Sequence, residues 1–356
     1  MSQANSYTQF SDLDKVNNLE RAFASAWSGI SPANDLGTSH FSSSTQYVTT
    51  SPTSSGAFHM EIYSTNPDTD ANAEVQYSIA YGHLNGSGSL LFDAGAGAET
   101  FSPSRAVYSQ YRNLVYGGDE TQNFTFDGHT PDHIYVININ RARYKNALRM
   151  GHCNLIVSGT AVDQIKLTDD SATTSGSANA IRAGVGREFN LVSGSNGIRV
   201  GSSNTYVTDS GSYGYVYPDA GFIILNADAL DATGGAKGIN LSTAQGGNAN
   251  GQNPIKLQNA IIAGGSFILD SQEDIASKFY FCRVRNTEFN YTTNDSFTTG
   301  TDGTLKYDSM IDNPRTYITT VGLYNDNQDL LAVAKLSQPL PKDFTKEALI
   351  KVKLDY

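Results

Sequence analysis

A period of two constrains this sequence more than any other feature. Between residues 74 and 83, Val75, Tyr77, Ile79 and Tyr81 alternate with Gln76, Ser78 and Ala80. Side chains leave a strand on alternate faces, so such a run buries one face and wets the other. Apolar stretches of strand length recur at 57–64, 89–93, 121–126, 133–139 and 153–158. They return at 255–262, 266–270, 278–285, 317–324, 330–336 and 348–354. Only 17% of the 356 residues are charged, and Ser, Thr, Asn and 33 Gly fill the gaps between apolar runs. That mixture suits strands joined by many turns, where helical enzymes lean on Ala, Leu, Glu and Lys. The expected fold is mainly β, with β-sandwich-like domains, an N-terminal helix and a few short helices. No fixed repeat appears, which argues against a solenoid or propeller.

Three segments break the period of two. In residues 10–29, Leu13, Val16, Leu19, Phe23 and Trp27 recur at spacings of three or four behind Ser11 and Asp14, which resemble a capping box. This predicts a helix ended by Gly29 and Pro32, and its apolar stripe needs a partner surface. Those five residues are candidate assembly contacts. Ser102, Pro103 and Gly117 frame a second helix. Residues 140–150 (NRARYKNALRM) read as a short basic helix, on which Arg141 and Lys145 share a face, as do Lys145 and Arg149. In an acidic chain these three form a candidate docking surface for an acidic neighbour.

The length implies more than one domain. Residues 1–55 read as the N-terminal helix and an extended polar arm, and 56–165 as a β-rich α+β domain. Residues 166–254, rich in Gly, Ser and Asn, read as a β insertion with long turns, and 255–356 as a C-terminal β domain packing with 56–165. Within the last, residues 316–356 read as a hairpin turning over Asn325-Asp326-Asn327, followed by a closing strand. Ile318, Val321, Leu331, Val333, Ile350, Val352 and Leu354 are expected to be mostly buried, with Lys351 and Lys353 facing outward.

Chemistry is sparse. A net charge of −11 repels phosphate backbones, so nucleic acid is not an expected partner and other proteins are. Cys153 and Cys282 match no metal or redox spacing and read as free thiols in a reducing cytoplasm. No basic-then-apolar leader opens the sequence, and no apolar run approaches the roughly 20 residues that span a bilayer, so membrane insertion is not expected. His129 and His133 stand four apart, but Pro131 between them breaks the helix that would make this a metal pair. Gly95-Ala96-Gly97 lacks the third glycine and the Lys of phosphate-binding loops. Asn325–Asp329 lacks the Gly and Glu of a calcium loop. The adjacent acids Asp169-Asp170 and Glu273-Asp274 are not held across a bond as glycosidase carboxyls are. No catalytic residue, cofactor site or metal site emerges, and the chain reads as a non-enzyme.

A family resemblance sharpens this. The segments Arg285–Tyr291 (RNTEFNY), Thr316–Asn325 (TYITTVGLYN), Leu331–Pro339 (LAVAKLSQP) and the closing ALIKVKLDY resemble an uncharacterised family of virion proteins from T4-like tailed phages, common in marine and cyanobacterial phages. SPSRAVYSQYRN (102–113), HIYVININRARYK (133–145) and YGYVYPDAGFIILN (213–226) are similar to the same family. The hairpin is also similar to a β motif in phage fibre-attachment domains. The resemblance implies a virion structural protein, assembled in the host cytoplasm against other virion proteins and copies of itself. The resemblance itself leaves the station in the particle open. Together with the long polar arm at 31–55, which can reach across a subunit boundary, it makes the tail or baseplate the expected station, with a capsid decoration or neck protein, or a glycan-binding or glycan-cleaving tailspike, as alternatives.

Overall fold

The computed structural model describes residues 7–27, 46–47, 59–64, 70–88, 102–159, 164–200, 212–233, 238–245, 252–300 and 303–356. The strand expected at 89–93, the Gly95-Ala96-Gly97 turn and nearly all of the arm at 31–55 lie outside these residues. The chain is mainly β, as its alternation predicts. The strands begin with β1 (Lys15–Ser25), β2 (Gln46–Tyr47), β3 (His59–Tyr63), β4 (Val75–His83), β5 (His133–Ile139), β6 (Ala147–Leu148) and β7 (Asn154–Ser158). They continue with β8 (Gln164–Asp169), β9 (Ala180–Arg182), β10 (Gly186–Ser195), β11 (Ile198–Arg199), β12 (Gly214–Tyr217), β13 (Phe222–Asn226) and β14 (Ser266–Ile268). The last are β15 (Asp270–Val284), β16 (Thr298–Thr299), β17 (Thr304–Leu305), β18 (Thr316–Tyr324), β19 (Leu330–Lys342) and β20 (Ala348–Asp355). The helices among the described residues are α1 (Pro103–Tyr116), α2 (Ala227–Asp231), α3 (Asn253–Gly264) and α4 (Ser309–Asp312).

The chain divides into two compact units, residues 21–273 and residues 1–20 with 274–356. The boundary falls inside β1 and β15 rather than at residue 255. The larger unit is built on one antiparallel sheet, ordered β14-β7-β8-β10-β12-β13-β5-β4-β3-β2. Residues 166–254, read from composition as an insertion, supply β10, β12 and β13 to the middle of this sheet. Their apolar runs are short, but Val216 and Phe222–Leu225 are buried, and the Gly and Ser residues among the described ones lie largely in turns.

Alternation sorts the sheet into two cores. Tyr77, Ile79 and Tyr81 of β4, Tyr135, Ile137 and Ile139 of β5, and Ile223 and Leu225 of β13 share one cluster. Ile134 and Val136 of β5, Phe222 and Ile224 of β13, and Tyr215 and Tyr217 of β12 share the other. Register aligns the strands so that like faces meet, with Ile79 opposite Ile137 and Val136 opposite Ile224. Helix α1 covers the second face with Tyr108 and Val115, and Leu257, Ala260 and Ile261 of α3 cover the first. Gly82 permits the close approach of α1: a Cβ there would lie 2.9 Å from the Tyr108 backbone nitrogen.

Three segments here differ from the sequence expectation. Residues 255–262, expected as a strand, lie in α3: Leu257, Ala260, Ile261 and Gly264 recur at helical spacing, Pro254 sits in its first turn, and Gly265 ends it with φ of 76°. Residues 10–29, expected as a helix, hold one 3₁₀ turn at Asp12–Asp14 and then strand β1. Ser11 N–H and Oγ–H do donate to the Asp14 carboxylate, at 3.0 and 2.6 Å, but the turn goes no further. β1 pairs with β15, which supplies backbone hydrogen-bond partners from another part of the chain, whereas a short isolated helix is marginal in water; the stripe itself stays exposed in the strand. Residues 121–126 form no strand either: Phe126 bridges only to His129, while Phe124 and Phe126 insert into the second core.

In the smaller unit β15 lies between β1 and β20, with Tyr280 opposite Val352 and Phe281 opposite Lys351. β18 and β19 form a separate two-stranded ribbon. Of the seven residues expected to be buried in 316–356, only Val352 is; Leu331 is 67% and Val333 58% exposed. Among the described strands the ribbon joins no larger sheet, and Leu323 is its buried apolar side chain. Lys351 and Lys353 point outward, Lys351 with its ammonium 3.8 Å from the Phe279 ring centre and Lys353 bonded to Glu20 at 2.6 Å.

Trp27 sits in the first core of the larger unit, 2% exposed, its indole N–H donating to the Phe267 carbonyl at 2.9 Å and its ring 5.0 Å from that of Phe267. Trp27→Ala is expected to lower unfolding free energy by about 3–5 kcal/mol. Leu19→Ala, on an exposed strand position, should stay within about 0.5 kcal/mol. Denaturant titration of both variants checks this, and equal effects would contradict the placement of Trp27.

Candidate functional site

The candidate assembly contacts do not form one surface. Leu13, Val16, Leu19 and Phe23 are exposed on or before β1, Leu13 at 87%, while Trp27 is core. Residues 140–150 hold a 3₁₀ turn at Arg141–Arg143 and the two-residue β6, so the helical face proposed for Arg141, Lys145 and Arg149 does not exist. Asn140 Oδ1 caps that turn by accepting from Ala142 N–H, a local bond that competes with helix. Arg141 donates to the Tyr144 carbonyl at 2.5 Å and stacks on its ring. Arg149 pairs with Asp270 at 3.3 Å and lies 3.9 Å over the Phe23 ring. Lys145 and Arg141 are exposed, and Arg149 is half-buried. Phe23 and Arg149 are thus brought together, a pairing that spacing could not reveal.

The largest apolar exposure lies in the smaller unit. Phe297, Leu323 and Val352 are its buried apolar side chains among the described residues, while Tyr317, Tyr324, Leu330, Leu331, Val333 and Leu349 are exposed. The ribbon is nevertheless rooted firmly. Lys342 is buried at the end of β19, and its ammonium donates to Asn286 O, Asn290 Oδ1 and Asp343 O at 2.9, 2.8 and 3.0 Å. Three acceptors saturate its three donors, and burial pushes its pKa down. Thr316 Oγ–H donates to the Phe289 carbonyl at 2.7 Å. Phe289, half exposed with φ of 53°, is thereby held in a left-handed conformation unusual for a bulky residue.

The histidines converge in the larger unit on a residue the sequence did not single out. Asp228, in the first turn of α2, bonds His133 Nε2 at 2.6 Å and His129 Nε2 at 2.8 Å through its two oxygens. The other nitrogen of His133 meets the Tyr81 hydroxyl at 3.0 Å, and the His133 side chain is 1% exposed. Hydrogen bonds from His133, then from His129, hold the Asp228 carboxyl down at about 2. His83 lies beside His133, ring centres 5.8 Å apart, and its Nδ1 accepts the Asn85 N–H. Burial, then the neighbouring His133, pushes His83 down to about 4. Asp231 and Tyr135 share Thr243, and burial raises both. The network ties β4, β5 and α2 to residues 238–245, with its phenols sealed from water.

Among the described residues no group of three His, Cys, Asp or Glu is arranged to hold a metal ion, and no helix is long and apolar enough to cross a membrane. Cys153 and Cys282 are free thiols, both pushed up by burial. Asp169 accepts from Gly151 and Ser171 N–H, and Asp170 from Asn190, so that acidic pair organises turns. Searches of family models, curated proteins and solved structures find no match to the chain.

Acid should act through His83. An unfolded histidine titrates near 6.5 and folded His83 near 4, so the folded chain binds fewer protons between those values. Stability is then expected to fall as pH drops from about 6.5 to about 4, by up to about 3 kcal/mol, with a further loss from Asp228 only between about 3.8 and 2. His83→Asn keeps an acceptor for Asn85 N–H and should flatten the upper part of that slope in chemical denaturation. An unchanged slope would assign it elsewhere.

Proposed function

We propose that this chain is a structural subunit of a tailed-phage virion, stationed in the tail or baseplate and acting through protein–protein assembly rather than catalysis. One observation carries the reading: the smaller unit buries Phe297, Leu323 and Val352 while exposing apolar side chains along β1, β18, β19 and β20. So few burials cannot offset the entropy of ordering a segment of this length, and isolated two-stranded ribbons are marginal in water. Large exposed apolar surface on an otherwise ordered protein marks an interaction site. The resemblance of segments between residues 102 and 356 to virion proteins of T4-like phages supplies the kind of assembly.

Quantitative mass spectrometry of purified particles should find the chain at about six to a few dozen copies, as rings around a tail axis require. Hundreds of copies would move it to the capsid surface, and its absence from particles would refute the reading. Purified protein should release no sugar from host envelope polysaccharide; release abolished by a single Asp or Glu substitution would make it a tailspike enzyme.

A further inference from the structure

Among the described strands, open sheet edges are guarded, with β18 the exception. Strands at a sheet edge present unpaired N–H and C=O groups, and proteins protect them with charge, proline or short length. At the ends of the large sheet, β14 has three residues and β2 two. On the smaller sheet, β1 carries Lys15, Glu20 and Arg21, and β20 carries Lys351, Lys353 and Asp355. β19 carries Lys335, Pro339 and Pro341. β18 runs nine residues, TYITTVGLY, without Asp, Glu, Lys, Arg or Pro, and its partner among the described strands is β19 alone. Five of the nine are β-branched, which favours further pairing. Both register irregularities in the ribbon put the extra residues on β19: pairing jumps from Leu340 to Lys335 while β18 advances from Ile318 to Thr320, and from Ala332 to Leu330 while β18 advances from Leu323 to Tyr324.

We propose that β18 pairs edge to edge with the β18–β19 ribbon of a second copy of this chain, continuing the two-stranded sheet across a subunit boundary. The backbone groups of an open edge select a strand, and the absence of charge along β18 selects a strand that is also neutral. The ribbon of another copy supplies that: Leu330–Ala334 and all of β18 are uncharged. The chain as a whole carries −11, so copies repel over most of their surface and approach best where neither contributes charge. Exposed Tyr317, Tyr324, Leu331 and Val333 would be covered by the same contact. The proposal rests on the assembly reading above and names its partner.

The test uses the full chain in sedimentation velocity over a concentration series, with hydrogen exchange of residues 316–324 alongside. Thr319 and Thr320 are exposed, so Thr319→Lys with Thr320→Lys adds edge charge without disturbing a core. Wild type is expected to self-associate, the lysine pair to weaken association about tenfold or more, and Thr319→Val with Thr320→Val to retain it. Amides of 316–324 in wild type should gain protection as concentration rises, a readout that stands even where the lysine variant misfolds. Association that ignores the lysines, with concentration-independent exchange in β18, would overturn this pairing and leave the assembly reading intact. A wild-type monomer at every concentration would likewise overturn the pairing, whereas the assembly reading falls only on absence of the chain from purified particles.

Discussion

The larger unit depends on β5 being apolar on both faces. His133–Ile139 is buried along nearly its whole length, with Tyr135, Ile137 and Ile139 facing one core and Ile134 and Val136 the other. A strand with no solvent face requires a layer on each side. That requirement places α3 over one face and α1 over the other. β13, beside β5, meets the same requirement, since alternate residues of Phe222–Leu225 serve both cores.

The period of two made the strands at 75–83, 133–139, 154–158 and 316–324 legible, and Pro103 with Gly117 made α1 legible. Where the reading failed, tertiary pairing decided between two patterns the sequence carried at once. Leu13, Val16, Leu19 and Phe23 have helical spacing, yet Leu19 and Phe23 also share a strand face, and the long β15 offers that strand a ladder. In 255–262 the balance went the other way. Ile255 and Leu257 alternate, but Leu257, Ala260, Ile261 and Gly264 fit a helix that packs on the sheet. Position among the strands was less legible than their existence, because a Gly- and Ser-rich turn looks alike beside a central strand and in a projecting loop.

Asp228 escaped notice because nothing local marks it. It lies in a five-residue helix, 95 positions from His133, and becomes significant only when antiparallel β13 returns the chain alongside β5. Asn226 pairs with Ile134, so the residues just beyond each strand end meet at one edge of the sheet. The histidine motif was visible; its partner was a consequence of register. A buried imidazole bonded at both nitrogens acts as a structural crosslink between the strand that carries it and the carboxylate that topology delivers.

The two units differ in what completes them. In residues 21–273 alternation has a destination, since each apolar face meets a helix or an inserted aromatic, and the buried ions Asp169, Glu188 and Asp270 are all bonded. In residues 274–356 the same alternation continues without a second layer, while polar anchors such as Lys342 and Thr316 fix the ribbon's root with full hydrogen-bond satisfaction. A segment that was merely loose would have no reason to saturate a buried ammonium with three acceptors at one end and leave an uncharged β-edge open at the other. The ribbon is thus fixed at its root by buried polar bonds while its apolar side chains and an uncharged strand edge stay exposed among the described residues.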